Sequence, residues 1–293
     1  MTQIRLDEVY WAGDFPLAHV ATRVLELTGE SSTSASALGQ EILRDQTLVT
    51  PVLRLANSDS YGVRGTVASV SRGIFLLGFN TVRSMAITIC TQALYRRPTS
   101  GFRDQLLWEH ALGTAAINRL IATDCAYPAG EEAFIAGLVH DVGKVVMYAK
   151  LGDRYEKVIA QVYNAEAESF VEAERAMFGF DHTEVGFLVA TRWGLPTATA
   201  EFVRCHHDPA SAVADRQLCA IVSMTNAICI KLGLGPHQRP DSDLAAQSAN
   251  KLLGFTPDQL DELLARAAPC AAAELEPYGL VWTSQGDGAR RVP

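Results

Sequence analysis

Hydrophobic side chains recur along this chain at intervals of three and four residues, the spacing that places them on one face of an α-helix. Leu17, Val20, Val24 and Leu27 form such a stripe, and Gly29 follows it. Other stripes follow Ser- and Thr-rich stretches, which are typical of helix N-caps. No long segment alternates as a half-buried strand does, and no internal repeat is found. The pattern predicts an all-α fold, a multi-helix bundle of about a dozen or more helices.

Two polar stretches suggest how the bundle is divided. Residues 96–101 read RRPTSG and form the strongest candidate boundary, and residues 236–243 are loop-like. We therefore predict an N-terminal helical subdomain over 1–100, a second helical subdomain over 101–235, and a C-terminal helical extension and tail over 236–293. The first subdomain is expected to pack on the second.

Composition and charge narrow the class of protein. Of the 293 residues, 48% are hydrophobic, enough for a proper core, so wholesale disorder is excluded. The formal net charge of −8 argues against a nucleic-acid partner, because such binders usually present a basic face. The six cysteines form no CxxC pair and are expected to be reduced. No stretch approaches the ~18 apolar residues of a membrane span, and the N-terminus lacks a signal peptide's apolar segment. We expect a cytoplasmic protein with no membrane partner.

Histidines are concentrated between residues 101 and 235. The five found there are His110, His140, His182, His206 and His207. His140 and Asp141 are adjacent within the apolar helical stretch FIAGLVHDVGKVVMY, and such a pair is costly to bury unless its charge is matched. Imidazole nitrogen with carboxylate oxygen suits Zn, Mn or Fe better than Ca. These residues indicate a divalent metal site, with satisfied core histidines as the alternative.

Longer motifs add a family resemblance. The HDVGK motif with WEHALGTA upstream resembles the HD-domain superfamily of metal-dependent phosphohydrolases. The segments FPLAHVATRVLELTGE, ILRDQTLVTPVLRLANSDSYG and VASVSRGIFLLGFNTVRSMAI are similar to the N-terminal signature of the HDOD family, the HD-related output domain of bacterial signalling. The resemblance spans about residues 10–235. It implies an HD-like helical subdomain in the second segment.

The resemblance also implies a set of metal ligands. Matched position by position, they are His110, His140, Asp141, His182, His206, His207 and Asn226. In the superfamily the aspartate of the doublet bridges two metals, so the resemblance implies one or two ions of Fe, Mn or Zn. Asn226 stands where the superfamily has its closing aspartate, and it offers an oxygen without charge. This departure, with Leu106 in place of an acid and no GYP motif, argues against hydrolysis of cyclic di-GMP.

Lys144 follows Asp141 by three residues, so the two side chains should share one helix face. In active HD enzymes this lysine lies near the substrate phosphate. A salt bridge to Asp141 or to a neighbouring acid is the alternative interpretation.

Two functions follow from these patterns. The leading hypothesis is a bacterial signal-transduction output or regulatory module of the HDOD class, which acts through protein–protein contacts and has a signalling protein, or a second copy of this chain, as its partner. The alternative is an active metal-dependent phosphohydrolase, a phosphodiesterase or phosphatase on a nucleotide or phosphoester. In that case Asp141 would orient the metal and Lys144 would steady the phosphate as catalytic residues.

Overall fold

The computed structural model describes most of the chain as helix. The described residues are 6–9, 19–29, 32–57, 66–95, 102–195 and 197–282. Within these ranges no β-strand is present, and the predicted all-α fold is confirmed. The predicted boundary, residues 96–101, lies outside the described residues.

The helices are listed here in chain order for use below. They are α1 (Leu6–Val9), α2 (His19–Gly29), α3 (Ala35–Ile42), α4 (Gln46–Ala56), α5 (Val70–Leu77), α6 (Phe79–Tyr95), α7 (Phe102–Asp124), α8 (Gly130–Val139), α9 (Val142–Leu151), α10 (Asp153–Tyr163), α11 (Phe170–Phe178), α12 (His182–Arg192), α13 (Thr197–Cys205), α14 (Arg216–Leu232), α15 (Ser248–Leu253) and α16 (Pro257–Leu275).

Contacts between residues divide the chain into two compact units. One is Gly13–Leu94, and the other combines Met1–Ala12 with Tyr95–Pro293. In the first unit, α3, α4 and α5 pack on one another around a core that includes Leu38 and Ile74. Helices α3, α4 and α5 begin at Ser or Asp N-caps whose side-chain oxygens accept from backbone N–H groups.

The second unit is organised around α7, which packs against α8, α14 and α16. Helices α9 and α12 approach each other closely at two glycines. An added Cβ at Gly143 would lie 1.9 Å from the carbonyl oxygen of His182 and 2.7 Å from the backbone nitrogen of Gly186. Only glycine at position 143 allows this approach, which holds the start of α12 against α9.

The His140–Asp141 pair lies at a helix break, not inside one continuous helix. Helix α8 ends at Val139 and α9 begins at Val142. The expectation of a single apolar helix was wrong because both flanks are almost entirely apolar, so the hydrophobic pattern carries no sign of the break. The break turns both side chains into the interior of the unit, where His140 and Asp141 are 0% and 3% exposed.

No single helix among the described residues is both long and apolar enough to cross a membrane. Helices α5 and α6 meet that test only when they are taken together, and they are bent by 111° where they meet.

Candidate metal centre

The structure brings every sequence-predicted ligand into one cluster inside the second unit. His110 lies on α7, the His140–Asp141 pair between α8 and α9, and Asn226 on α14. His182 is the first residue of α12, and His206 and His207 directly follow α13. All are buried except His207, which has an exposed side.

Local sequence fixes the start of α12 and therefore the position of His182. Asp181 is the N-cap, and its side chain accepts hydrogen bonds from the backbone N–H groups of Thr183 and Glu184. Glu184 reaches back to the backbone N–H of Asp181 and completes a capping box. The first helical residue is thus held where its imidazole enters the cluster.

Four imidazoles are oriented by contacts at their Nδ1 atoms, three through main-chain carbonyl oxygens and His182 through the side chain of Glu174. His110 Nδ1 lies 2.8 Å from the carbonyl oxygen of Leu234, His140 Nδ1 2.7 Å from that of Gly137, and His206 Nδ1 2.8 Å from that of Val203. A carbonyl oxygen only accepts, so each of these Nδ1 atoms donates a proton. In a neutral imidazole the lone pair then belongs to Nε2.

All four Nε2 atoms turn toward the carboxylate of Asp141. The Nε2 atoms of His140 and His110 lie 3.3 and 3.5 Å from its Oδ2. Those of His182 and His206 lie 3.4 and 3.6 Å from its Oδ1. The Nε2 atoms of His182 and His207 face each other at 3.0 Å. The result is a carboxylate surrounded by imidazole nitrogens.

Charge in the cluster favours a bound cation. Burial lowers the pKa of His110 to about 3 and that of His206 to about 4, so both imidazoles are neutral at physiological pH. Burial also disfavours the carboxylate of Asp141, but interactions with His140 and the ammonium of Lys144 outweigh it and hold its pKa well below the usual range. The neutral imidazoles of His110 and His206 beside an ionised carboxylate are in the protonation states that metal binding requires.

Several buried atoms of the cluster have no hydrogen-bond partner. They are His140 Nε2, Asp141 Oδ1 and His206 Nε2. Leaving such atoms unpaired costs about 1–3 kcal/mol each, so a structure that retains them calls for an explanation. A divalent cation bound at the cluster would give partners to the atoms beside it, and the chemistry of this donor set fits Zn, Mn or Fe.

The donors form two groups that share Asp141. One group is His110, His140 and Asp141, and the other is Asp141, His182, His206 and His207. Two further side chains contact donors of the first group. Lys144 Nζ donates to Asp141 Oδ2 at 2.6 Å, and Asn226 Oδ1 lies 3.1 Å from His110 Nε2. The expected proximity of Lys144 to Asp141 is present as a buried ion pair.

Glu174 is a member of the site that sequence reasoning missed. Its Oε2 lies 2.6 Å from His182 Nδ1 and accepts the backbone N–H of His182 at 2.8 Å. Its Oε1 accepts the hydroxyl of Tyr155 at 2.5 Å. Both Glu174 and Tyr155 are fully buried. A carboxylate behind a histidine ligand fixes the ring and raises its basicity.

The sequence does carry a signal for Glu174. The buried residues of α11 are Phe170, Ala173, Glu174 and Phe178, at positions i, i+3, i+4 and i+8. Glu174 therefore stands on the apolar stripe of an amphipathic helix, where an acid is costly to bury without a partner.

A cavity of about 460 Å³ opens on both groups of donors, with His207 of the second group also in its lining. Its lining includes His110, Lys144 and Asn226 from the cluster. The outer wall is contributed by residues 236–248, where Arg239 donates to the carbonyl oxygen of Glu168 at 2.8 Å. The cluster is thus buried on most sides but reachable by a small molecule.

Comparison with known proteins identifies the family. The model of the HDOD domain matches residues 15–209, about two thirds of the sequence, and the chain belongs to this family. The match ends before the 236–248 wall of the cavity. An uncharacterized protein of Treponema pallidum (strain Nichols) is 26% identical over an alignment of 194 residues that covers 63% of this chain and 36% of that protein. This chain thus spans little more than a third of that relative.

Solved structures share the fold. An HDOD domain protein of unknown function from Geobacter sulfurreducens superposes with a TM-score of 0.77 at 26% identity, covering 94% of this chain and 99% of that one. A candidate signal transduction protein of Marinobacter aquaeolei VT8 gives 0.75 at 19% identity, with coverages of 95% and 62%. A candidate phosphohydrolase of Shewanella amazonensis SB2B gives 0.63 at 20% identity, with coverages of 91% and 87%. The last two establish likeness of fold alone.

Proposed function

We propose that this chain is a regulatory module of bacterial signal transduction that carries a divalent metal in its buried cluster and acts through contacts with other proteins. The observation that carries the metal site is the convergence of four imidazole Nε2 atoms on the carboxylate of Asp141. The candidate donors of the cluster are His110, His140, Asp141, His182, His206, His207 and Asn226. When bound, a divalent ion supplies Lewis-acid activation of water and of a phosphoryl oxygen.

Two observations support a regulatory role over turnover. Asn226 places a neutral amide where a charged ligand would best strengthen a metal, which weakens the site as a catalyst. On α5, Phe75 is 80% exposed, and an aromatic side chain in water is a typical anchor of a protein contact. The proposed partner is a signalling protein or a second copy of the chain, and the proposed setting is the cytoplasm.

Metal content of the purified full chain tests the site. We expect Fe, Mn or Zn to co-purify with the wild type and to be lost in Asp141→Asn. Glu41→Gln, which replaces a buried acid on α3, is the matched control and should retain the metal. A folded wild type that binds none of these ions after reloading contradicts the proposal.

Partner contacts need a separate experiment. Phe75→Ser should weaken association with the partner, or self-association, without changing metal content. Val213, which is 84% exposed in the second unit, offers a matched control as Val213→Ser. Equal association of the wild type and both variants would remove Phe75 from the proposed contact surface.

A second function, metal-dependent phosphohydrolysis, is favoured by one specific observation. The cavity of about 460 Å³ reaches His110, Asp141 and Lys144, so a phosphoester could approach the cluster. In this role Asp141 would hold the metal and Lys144 would orient a phosphate oxygen. Turnover of simple phosphomonoesters and phosphodiesters with added Mn²⁺, abolished by His140→Ala and by Asp141→Asn, would establish it. Absence of turnover in a metal-loaded wild type favours the regulatory role.

A further inference from the structure

We propose that the cluster holds one divalent ion, in the half formed by Asp141, His182, His206 and His207, and that the half formed by His110, His140 and Asn226 carries none. This inference rests on the proposed metal site and goes beyond it by assigning both the number of ions and their position.

The two oxygens of Asp141 serve different halves of the cluster. Oδ1 faces His182 at 3.4 Å and His206 at 3.6 Å, and it has no hydrogen-bond partner. Oδ2 faces His140 at 3.3 Å and His110 at 3.5 Å. The carboxylate is therefore available to a metal through Oδ1. Whether Oδ2 is also available depends on the other groups that contact it.

A lysine already neutralises Oδ2. Lys144 Nζ donates to it at 2.6 Å, and both side chains are almost fully buried. The ammonium also lies 4.6 Å from the centre of the Phe170 ring, a cation–π contact that helps to hold it. An ion binding at Oδ2 would have to displace this ammonium or share an oxygen with it at close range. Either change is costly inside a protein.

Asn226 removes the charge that a second ion would need. Its Oδ1 lies 3.1 Å from His110 Nε2, within reach of the same metal position, but an amide carries no charge. Among the described residues, the two donor groups contain one carboxylate, that of Asp141. Two divalent ions would therefore bring far more positive charge than the ligands offset, next to the buried ammonium of Lys144.

The other half has a complete and well-supported donor set. Three imidazoles and one carboxylate oxygen converge there, as structural and catalytic sites of Zn, Mn and Fe require. His182 is also backed by the carboxylate of Glu174 at 2.6 Å, which contributes negative charge behind the ligand. The number of imidazole donors and the charge behind them both favour this half.

Stoichiometry measured on the full chain tests the inference. The chelated protein is reloaded with Mn²⁺ alone, freed of excess ion, and analysed for ions per chain and by electron paramagnetic resonance. We expect one Mn²⁺ per chain with the spectrum of an isolated ion. His182→Ala should bind at least tenfold less tightly, and His110→Ala should retain the ion. Asn226→Asp should bind a second ion and give the spectrum of a coupled pair.

His207→Ala keeps the test decisive if His182→Ala fails to fold. His207 has an exposed side, so its replacement leaves the core packed, and it should weaken binding as His182→Ala does. Two coupled ions in the wild type, or loss of the ion in His110→Ala with retention in His207→Ala, would overturn the inference. An unchanged count in Asn226→Asp would overturn the role given to Asn226. If the folded wild type binds no ion at all, the proposed metal site itself is contradicted. That outcome is distinct from the results that overturn only the number or position of the ions.

Discussion

The two compact units bury very different polar residues. In the described part of Gly13–Leu94, the buried polar side chains are Glu41 and three hydroxyl residues, Ser84, Thr88 and Thr91. Thr88 donates to the carbonyl oxygen of Ser84 at 2.8 Å within its own helix. Glu41 pairs at 3.1 Å with Arg44, which is exposed. This core is apolar, and its one acid remains in contact with a solvated charge.

The second unit buries an ionised network. Asp141, Lys144 and Glu174 are each at most 5% exposed, and four imidazoles of the cluster face the carboxylate of Asp141. Such groups contribute little to the stability of the fold, because the desolvation of buried charges offsets their attraction. Apolar residues of the same volume would often stabilise the fold as well or better. The first core therefore buries no charge network, whereas the second buries one at a cost in stability. Four predictions test that difference, and they follow in order of expected effect.

Asp141→Asn should have the largest effect. It removes the carboxylate at the centre of the cluster and leaves the ammonium of Lys144 buried without its partner. We expect loss of bound metal and a decrease in the free energy of unfolding of about 3–5 kcal/mol, measured by urea unfolding in chelator. If Asp141→Asn is as stable as the wild type, the charge of Asp141 does not stabilise the buried network.

The same glycine-to-alanine change should act oppositely in the two units. At Gly143 the new methyl group would meet the His182 carbonyl oxygen at 1.9 Å, so Gly143→Ala should cost about 1–3 kcal/mol or more and weaken metal binding. At Gly73 in α5 the nearest atom, Val52 Cγ1, is 3.4 Å away. Gly73→Ala should be neutral or stabilise by up to about 1 kcal/mol. Thermal unfolding of both variants measures this, and equal shifts would contradict it.

Glu174→Gln should weaken the metal without unfolding the protein. The amide keeps the shape of the side chain but loses the charge behind His182, so affinity should fall about 10–100-fold in chelator competition. Tyr155→Phe removes one hydrogen bond to Glu174 and should have a smaller effect in the same direction. If Glu174→Gln binds metal as the wild type does, Glu174 has only a packing role.

Glu41→Gln should have the smallest effect. The pair of Glu41 with exposed Arg44 contributes at most about 1 kcal/mol, because solvent screens it. Urea unfolding should therefore show a near-native free energy and unchanged metal content. A decrease in the free energy of unfolding close to that of Asp141→Asn would mean that a buried acid contributes equally to stability in both units.

The fold class could be predicted because helical periodicity is a local property. The stripe that includes Val24 and Leu27 needs no knowledge of what it packs against. The helix break at His140–Asp141 could not be predicted in the same way, since Val139 and Val142 are as apolar as a continuous core helix would require. Its cause lies in the tertiary structure, where both side chains point into the cluster.

The candidate ligands were also identified from the sequence, but their arrangement was not. Residue types and motif positions identify His110 and His206 as candidates, yet they are 96 residues apart, and only the packing of α7 and α13 on α8 brings them to one carboxylate. Glu174 was missed because it carries no motif. Its role depends on a contact with His182 that forms only when α11 and α12 fold together.

The contacts at Nδ1 have a consequence for how such a site persists through sequence divergence. Gly137, Val203 and Leu234 orient their imidazoles through main-chain carbonyl oxygens, which every residue type carries. Position 137 itself has room only for glycine, since an added Cβ would lie 2.7 Å from the carbonyl oxygen of Thr114. Three of the four imidazole orientations can therefore survive extensive drift in the surrounding sequence. His182 is the exception, since its orientation depends on the side chain of Glu174. In relatives that have lost the metal, we expect replacement of the acid at position 174 before loss of the other contacts that orient the imidazoles.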